Sequence, residues 1–162
     1  MTVVYPPDIK RISGPLIFLA GPIQGAPDWQ SLATTYIQSK NAGLHIASPR
    51  TPPPWHGRFD EQVDWEHYHL RYASGNGVVM FWLAKEEEHV CERAYAQTSR
   101  FELGWHMARY MLEDANVVVG IEKGFSGEQY LRHTLLRQAS GIPVLTSLEN
   151  TCDVAINLAR SA

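Results

Sequence analysis

The chain has 162 residues and a net charge of -3, with 14 Lys and Arg against 17 Asp and Glu. This length is typical of a single domain that buries its own hydrophobic core without disulfides or structural metal ions. The weakly acidic balance lacks the basic footprint of a protein that binds nucleic-acid polymers or an anionic membrane surface, so we expect neither as a partner.

Five short apolar runs alternate with five helical segments after an N-terminal tail of residues 1–14. The runs are rich in β-branched and aromatic residues, as expected for strands buried on both faces. The predicted strands cover residues 16–20, 44–48, 78–83, 116–121 and 142–145, and the predicted helices cover 27–41, 61–74, about 99–113, 127–140 and 150–160. This alternation predicts one α/β domain over residues 1–162, a five-stranded, doubly wound parallel sheet.

The ligand site of such a sheet lies beyond the carboxyl ends of its strands, where the strand order reverses. The segment after the first predicted strand, Gly21–Gly25, contains glycines that let a ligand approach the backbone closely, although they serve tight turns equally well. A proline-rich segment from Pro49 to Phe59 can be neither a helix nor a central strand. We expect these two loops and the helix after the third predicted strand to border the site.

Glu102 is the candidate catalytic residue, because we expect it in the first turn of that helix. Ser99 three residues earlier also fits a capping box, in which both side chains satisfy backbone N–H groups. Farther along, an apolar stripe (Phe101, Trp105, Ala108 and Leu112) alternates with a polar one (Glu102, His106, Arg109 and Glu113). A polar stripe is typical of a solvated face. Glu102 can therefore be catalytic only if the first turn of this helix borders the cleft while its later turns face solvent or another subunit.

No cofactor and no metal are expected. The chain has no GxGxxG motif and no phosphate-loop lysine, and its two cysteines, Cys91 and Cys152, lack the spacing of a zinc site or a disulfide framework. Reduced thiols, the absence of an apolar signal-peptide core in residues 1–10 and the absence of a bilayer-length apolar run predict a cytoplasmic protein.

A set of short motifs together resembles the nucleoside 2-deoxyribosyltransferase family. The motifs are Ile17–Pro22, Gln62–Glu66 followed by His69-Leu70, Phe81-Trp82 and Phe101–Gly104. The resemblance implies a flavodoxin-like fold and transfer of 2-deoxyribose between nucleobases in nucleotide salvage, with a nucleoside and a nucleobase as small-molecule partners. It also implies that Glu102 is the nucleophile that forms a covalent glycosyl ester, and that the protein is a homo-oligomer.

The proton donor for the departing base is the main departure from the family pattern. In the family, this role commonly belongs to an aspartate on the helix before the third strand. That position falls at or near His69 in this chain. A histidine suits proton transfer because its ordinary pKa is near neutrality. Glu66, one helical turn earlier, and Asp64 are the alternatives.

The resemblance and the loop positions give a further set of candidate substrate-binding residues. Polar loop side chains are suited to hydrogen bonds with sugar hydroxyls or a base edge, and aromatic rings to stacking on a base, although aromatic residues more often pack in cores. The candidates are Gly21, Pro22, Gln24, Asp28, Arg58, Phe59 and Asp60, with Trp55 and Trp65 as further aromatic residues.

Two other classes of function remain open at this point. A related N-glycosidase would let water cleave a nucleoside or a nucleoside 5'-monophosphate. We rank nucleosides higher because no Lys or Arg occurs between Ile12 and Ser39, although Arg50, Arg58 and Arg100 could reach the site. A non-catalytic flavodoxin-like module is the third interpretation, but a receiver would need an aspartate after the third strand.

Overall fold

The apolar runs form the strands of a single parallel sheet. A computed structural model describes residues 2–40, 43–51 and 57–162. The described strands are β1 (Val3–Val4), β2 (Leu16–Ala20), β3 (His45–Ala47), β4 (Gly77–Leu83), β5 (Val117–Ile121) and β6 (Val144–Leu145), in the order β1-β3-β2-β4-β5-β6. The five predicted strands are confirmed. The additional strand β1 lies in the predicted tail, where Val3 and Val4 pair with β3.

The helices between these strands cover both faces of the sheet. They are α1 (Trp29–Ser39), α2 (Phe59–Gly75), α3 (Gln97–Glu113), α4 (Glu128–Gln138) and α5 (Leu148–Ser161). The core order β3-β2-β4-β5-β6 is that of flavodoxin-like folds, so the predicted fold class is confirmed. None of the helices in the described ranges combines the length and apolar composition that a membrane crossing needs.

The alternation of side chains along β2 divides the core into two layers. Leu16, Phe18 and Ala20 pack with residues of α2, α3 and α4, whereas Ile17 and Leu19 pack with residues of α1 and α5. Successive strand residues point to opposite faces, and both faces are covered by helices, which is why the whole run is apolar. Since α1 and α2 lie on opposite faces, the strand order reverses between β2 and β4.

The start of α3 differs from the prediction. The helix begins at Gln97 after Ala96, which has a left-handed φ of 56° and provides no side-chain cap. Ser99 is therefore the third helical residue and Glu102 the sixth, in the second turn and not the first. The capping-box interpretation is wrong, because the box needs Ser99 at the N-cap and Glu102 at the third helical position, and each lies three residues farther along the helix.

The two faces of α3 also differ from the prediction. The predicted solvated stripe is partly buried, with His106 only 4% exposed, whereas Phe101, Trp105 and Leu112 are 70%, 59% and 83% exposed. His106 packs against the Phe81 ring at a centroid distance of 5.7 Å. The polar stripe therefore faces the protein interior and the cleft, and the apolar stripe faces outward.

Candidate active site

A cavity of about 380 Å³ opens where the strand order reverses. It lies between the carboxyl end of β2, the first two turns of α2 and the beginning of α3. Its lining residues are Phe18, Ala20, Gly21, Pro22, Ile23, Gln24, Pro49, Phe59, Gln62, Val63, Glu66, Arg93, Ala96, Thr98, Ser99 and Glu102. The cavity therefore occupies the place that the topology predicts for a ligand.

The turn after β2 forms one wall of the cavity and depends on glycine. Gly21 has a φ of +150°, and a Cβ there would collide with the carbonyl oxygen of Trp82 and the ring of Trp29. The indole N–H of Trp29 donates a 2.9 Å hydrogen bond to the carbonyl of Pro22. This close packing fixes the direction in which the loop leaves the strand.

Arg50, from the segment after β3, holds the rest of the same loop in place. Its guanidinium donates hydrogen bonds to the carbonyls of Ile23 (2.8 Å), Ala26 (3.2 Å) and Pro27 (3.1 Å), and to the side-chain oxygen of Gln30 (3.0 Å). These donors tie together loop carbonyls that lie outside the ladders of the sheet. Arg50 is therefore a structural residue of the cavity wall.

Replacing Arg50 by Met should destabilise the protein by about 2 to 4 kcal/mol, because several half-buried carbonyls lose a charged donor. Chemical denaturation measures this as a lower midpoint. Arg58→Met is the matched control, since Arg58 pairs with Asp60 on the surface at a side-chain exposure of 74%, and such pairs contribute about 0 to 1 kcal/mol. Equal losses in the two variants would contradict the role assigned to Arg50.

Two glutamates meet in the cavity, Glu66 from α2 and Glu102 from α3. Burial, followed by the nearby Glu66 carboxylate, raises the pKa of Glu102 to about 8. Burial also raises the pKa of Glu66, partly opposed by the hydrogen bond that Gln62 donates to it at 2.9 Å. Two carboxyl groups in one desolvated cavity hold a proton between them near neutral pH.

The structure brings six of the ten predicted site residues to the cavity and leaves four outside its lining. Those that line it are Gly21, Pro22, Gln24, Phe59, Glu66 and Glu102. Asp28 is the N-cap of α1, where its carboxylate accepts hydrogen bonds from the backbone and hydroxyl of Ser31. It therefore satisfies a helix start, and α1 begins two residues later than the predicted helix of residues 27–41.

Arg58 and Asp60 do not line the cavity; they bind each other on the surface at the start of α2, with an Nε–Oδ1 distance of 3.1 Å. Trp65 is fully buried and packs against Phe18, as the core interpretation predicted. Trp55 lies outside the described residues. Phe59, which is 84% exposed, is therefore the aromatic ring available at the cavity among the candidates that the structure describes.

His69 does not line the cavity either. Its ring is fully buried, 4.4 Å from the Trp65 ring, and its Nδ1 lies 2.8 Å from the Trp65 carbonyl oxygen. Burial lowers its pKa, so the neutral form is favoured. Asp64 lies on α2 and is also absent from the lining. Of the three candidates for the proton donor, Glu66 is the one that lines the cavity.

Sequence reasoning missed several lining residues. Gln62 belongs to a motif that carries the family resemblance, so its position was an available signal. Arg93 and Ser99 gave none, because a polar loop and a helix-start serine are common features of any chain. Among the described residues, no group of three or more His, Cys, Asp or Glu side chains is placed to hold a metal ion.

The fold and the cavity together define a flavodoxin-like domain with a carboxylate pair at its topological switch point. Such a pair suits chemistry at the anomeric carbon of a sugar. The model of the nucleoside 2-deoxyribosyltransferase like family matches residues 14–125, and the chain belongs to this family. The recognition from motifs is thereby confirmed, as is the general class of deoxyribosyltransferase-like enzymes. No curated protein matches the chain.

Proposed function

We propose that this protein transfers 2-deoxyribose between nucleobases, with Glu102 as nucleophile and Glu66 as proton donor. The observation that carries the proposal is the position of the Glu102 side chain in a cavity at the switch point, beside a second carboxyl group. The cavity also offers Phe59 as a ring on which a base can stack, an interaction of roughly 1–3 kcal/mol.

The reaction consists of two displacements. A Glu102 oxygen attacks C1' of the nucleoside, the bond from C1' to the base nitrogen breaks with its electron pair going to the base, and Glu66 protonates the base. The glycosyl ester of Glu102 is then attacked by the nitrogen of a second base, which loses its proton to Glu66, and Glu102 leaves as a carboxylate. Two inversions at C1' retain the sugar's configuration.

Glu66 and Glu102 suit these roles because the transition state carries positive charge on the sugar. A carboxylate beside that charge stabilises it and can capture the sugar as an ester. Burial raises the pKa of both groups, that of Glu102 to about 8, so one proton stays on the pair near neutral pH. The proposed attack takes place in the form in which Glu66 carries this proton and Glu102 is ionised. The free thiols Cys91 and Cys152 agree with a reducing compartment, so we propose that the reaction takes place in the cytoplasm.

The test is to incubate the protein with a 2'-deoxynucleoside and a second base, and to separate the products by chromatography. A new nucleoside is the expected product, and free 2-deoxyribose as the only sugar product would mean that the enzyme is a hydrolase. Intact mass spectrometry in the absence of an acceptor base should detect a deoxyribosyl adduct on the wild type. Absence of both cleavage and adduct would overturn the proposal.

We further propose that the protein forms a homo-oligomer through the outward apolar stripe of α3, Phe101, Trp105 and Leu112. The rings of Phe101 and Trp105 lie 6.2 Å apart and form one patch. From their exposed fractions, the three side chains offer roughly 350 Å² of apolar surface. A standard interface buries about 800 Å² per partner, a little over half of it apolar, so the stripe supplies most of the apolar part.

Trp105→Glu should convert the oligomer to monomers, because a charge at the centre of an apolar interface is left without water. Sedimentation velocity measures the change in mass. Leu32→Glu is the matched control, since Leu32 is 64% exposed on α1, on the opposite face of the sheet. A wild-type protein that stays monomeric at all concentrations, or an equal effect of the control, would contradict the assignment.

A further inference from the structure

We propose that Gln62 is a positioning residue, whose side-chain amide holds one oxygen of Glu66 so that the other oxygen exchanges the proton with the departing and incoming bases. The inference rests on the proposed glycosyl transfer and adds to it a residue that acts through Glu66 and not on the sugar. It assigns a role to the first residue of the motif Gln62–Glu66, whose last residue is the proposed proton donor.

Gln62 and Glu66 lie one helical turn apart on α2, and both line the cavity. Residues four apart on a helix are neighbours on its surface. Nε2 of Gln62 lies 2.9 Å from Oε1 of Glu66, the ordinary distance of an N–H···O hydrogen bond. An amide nitrogen donates and does not accept, so Oε1 is the acceptor of this bond and the proton of the carboxyl group belongs on Oε2.

The two glutamates of the cavity differ in their hydrogen bonds. Within residues 2–40, 43–51 and 57–162, Gln62 is the single donor to the carboxyl group of Glu66, and no donor reaches the carboxyl group of Glu102. A carboxyl group with one oxygen held in place has fewer orientations to lose when a substrate arrives. Gln62 therefore distinguishes the proposed proton donor from the proposed nucleophile.

The first two turns of α2 form a rigid support for this hydrogen bond. Trp65, next to Glu66, is fully buried, and its ring lies 5.9 Å from the ring of Phe18 on the central strand β2. The backbone N–H of Gln62 donates to the Arg58 carbonyl at 3.1 Å, so Gln62 belongs to the first closed turn of the helix. A side chain on a rigid element positions its neighbour more precisely than one on a loop.

The charged groups around Glu66 come from α2, from α3 and from the loop before α3. Glu102 and Arg93 line the same cavity, and His67 is the next residue on α2. Burial raises the pKa of Glu66, whereas the hydrogen bond from Gln62 and then the charge of His67 lower it. Gln62 therefore makes Glu66 a stronger acid than burial alone would leave it.

The kinetic test replaces Gln62 by Met, which keeps the length of the side chain and removes the donor. At a saturating acceptor base, kcat should fall by about tenfold or more while KM for the donor nucleoside changes by less than about twofold. Gln62→Asn, whose amide is one carbon shorter, should lose kcat similarly. Gln129→Met is the matched control, since Gln129 is exposed on α4 outside the cavity lining. A raised KM with an unchanged kcat would mean that Gln62 binds the substrate, and would overturn the proposal.

A double-mutant cycle shows whether Gln62 acts through Glu66. In protein that carries Glu66→Gln, the substitution Gln62→Met should change kcat by less than about twofold, because the carboxyl group that Gln62 positions is already gone. A double variant that loses the product of the two single losses would mean that Gln62 acts independently, which contradicts the proposal.

A titration of Glu66 separates this proposal from the proposed function. Glu102→Gln leaves one carboxyl group of the pair, and 13C NMR of the Glu66 carboxyl carbon then measures its titration midpoint. Adding Gln62→Met should raise this midpoint by about half a pH unit or more, because the ionised form loses its donor. If wild-type protein exchanges no bases but the midpoint rises, the transfer reaction fails and Gln62 still controls Glu66. An unmoved midpoint rejects the role of Gln62 whether or not turnover occurs.

Discussion

Glu102→Gln should lower kcat/KM for base exchange by about a thousandfold or more and abolish the covalent sugar adduct. The amide keeps the size of the side chain but can neither attack C1' nor stabilise the developing positive charge. Initial rates with a 2'-deoxynucleoside and an acceptor base measure the first effect, and intact mass spectrometry measures the second.

The same substitution should stabilise the fold at neutral and alkaline pH. Burial raises the pKa of folded Glu102 to about 8 from an ordinary value of 4.5, so the folded protein keeps a proton that the unfolded chain releases. That contribution to stability is complete below pH 4.5 and is lost as the pH rises toward 8, at up to about 1.4 kcal/mol per unit. Glu102→Gln has no such loss, so its advantage in unfolding free energy should grow over this pH range.

Glu113→Gln is the matched control on the same helix. Glu113 is 55% exposed and pairs with Arg109 at 2.7 Å, outside the cavity. It should change neither the rate nor the pH dependence of stability appreciably. Near-normal turnover by Glu102→Gln would remove Glu102 from the mechanism, and a stability that follows wild type from about pH 5 to 9 would contradict its burial.

The sheet could be predicted because its signal is local. Leu16–Ala20 and Gly77–Leu83 are apolar on both faces, which is the pattern that a covered parallel strand requires. Gly-Pro pairs at residues 14–15 and 21–22 mark both ends of the first run. Strand β1 escaped prediction because two valines carry no period, and the strand exists only through its pairing with Ile46 and Ala47. Its stability is tertiary in origin.

The site could be predicted only where a residue type and its position on the topology agree. Glu102 and Gly21 were found because both follow central strands at the switch point. The orientation of α3 was not predicted. An amphipathic pattern alone assigns the apolar stripe of a helix to the core, whereas the apolar stripe of α3 faces outward. Arg93 and Ser99 line the cavity but were not predicted to, because a polar loop and a serine near a helix start are common features of any chain.

Glu66→Gln should lower kcat/KM by about a hundredfold or more and change the shape of its pH profile. The proposed mechanism requires one proton on the glutamate pair, so we expect a bell-shaped wild-type profile that falls above about pH 8. In the variant the proton donor is absent, and the alkaline fall should disappear. The loss of rate should be smallest for a base that departs readily as an anion.

The acidic limb that remains in the pH profile of Glu66→Gln reports the ionisation of Glu102 alone. The Glu66 carboxylate is one of the two causes that raise the pKa of Glu102, so its removal should move this limb below pH 8. Activity of the variant should then rise with pH and level off. A fall near pH 8 that survives the substitution would mean that Glu102 itself must be protonated, which reverses the two roles and makes Glu102 the acid.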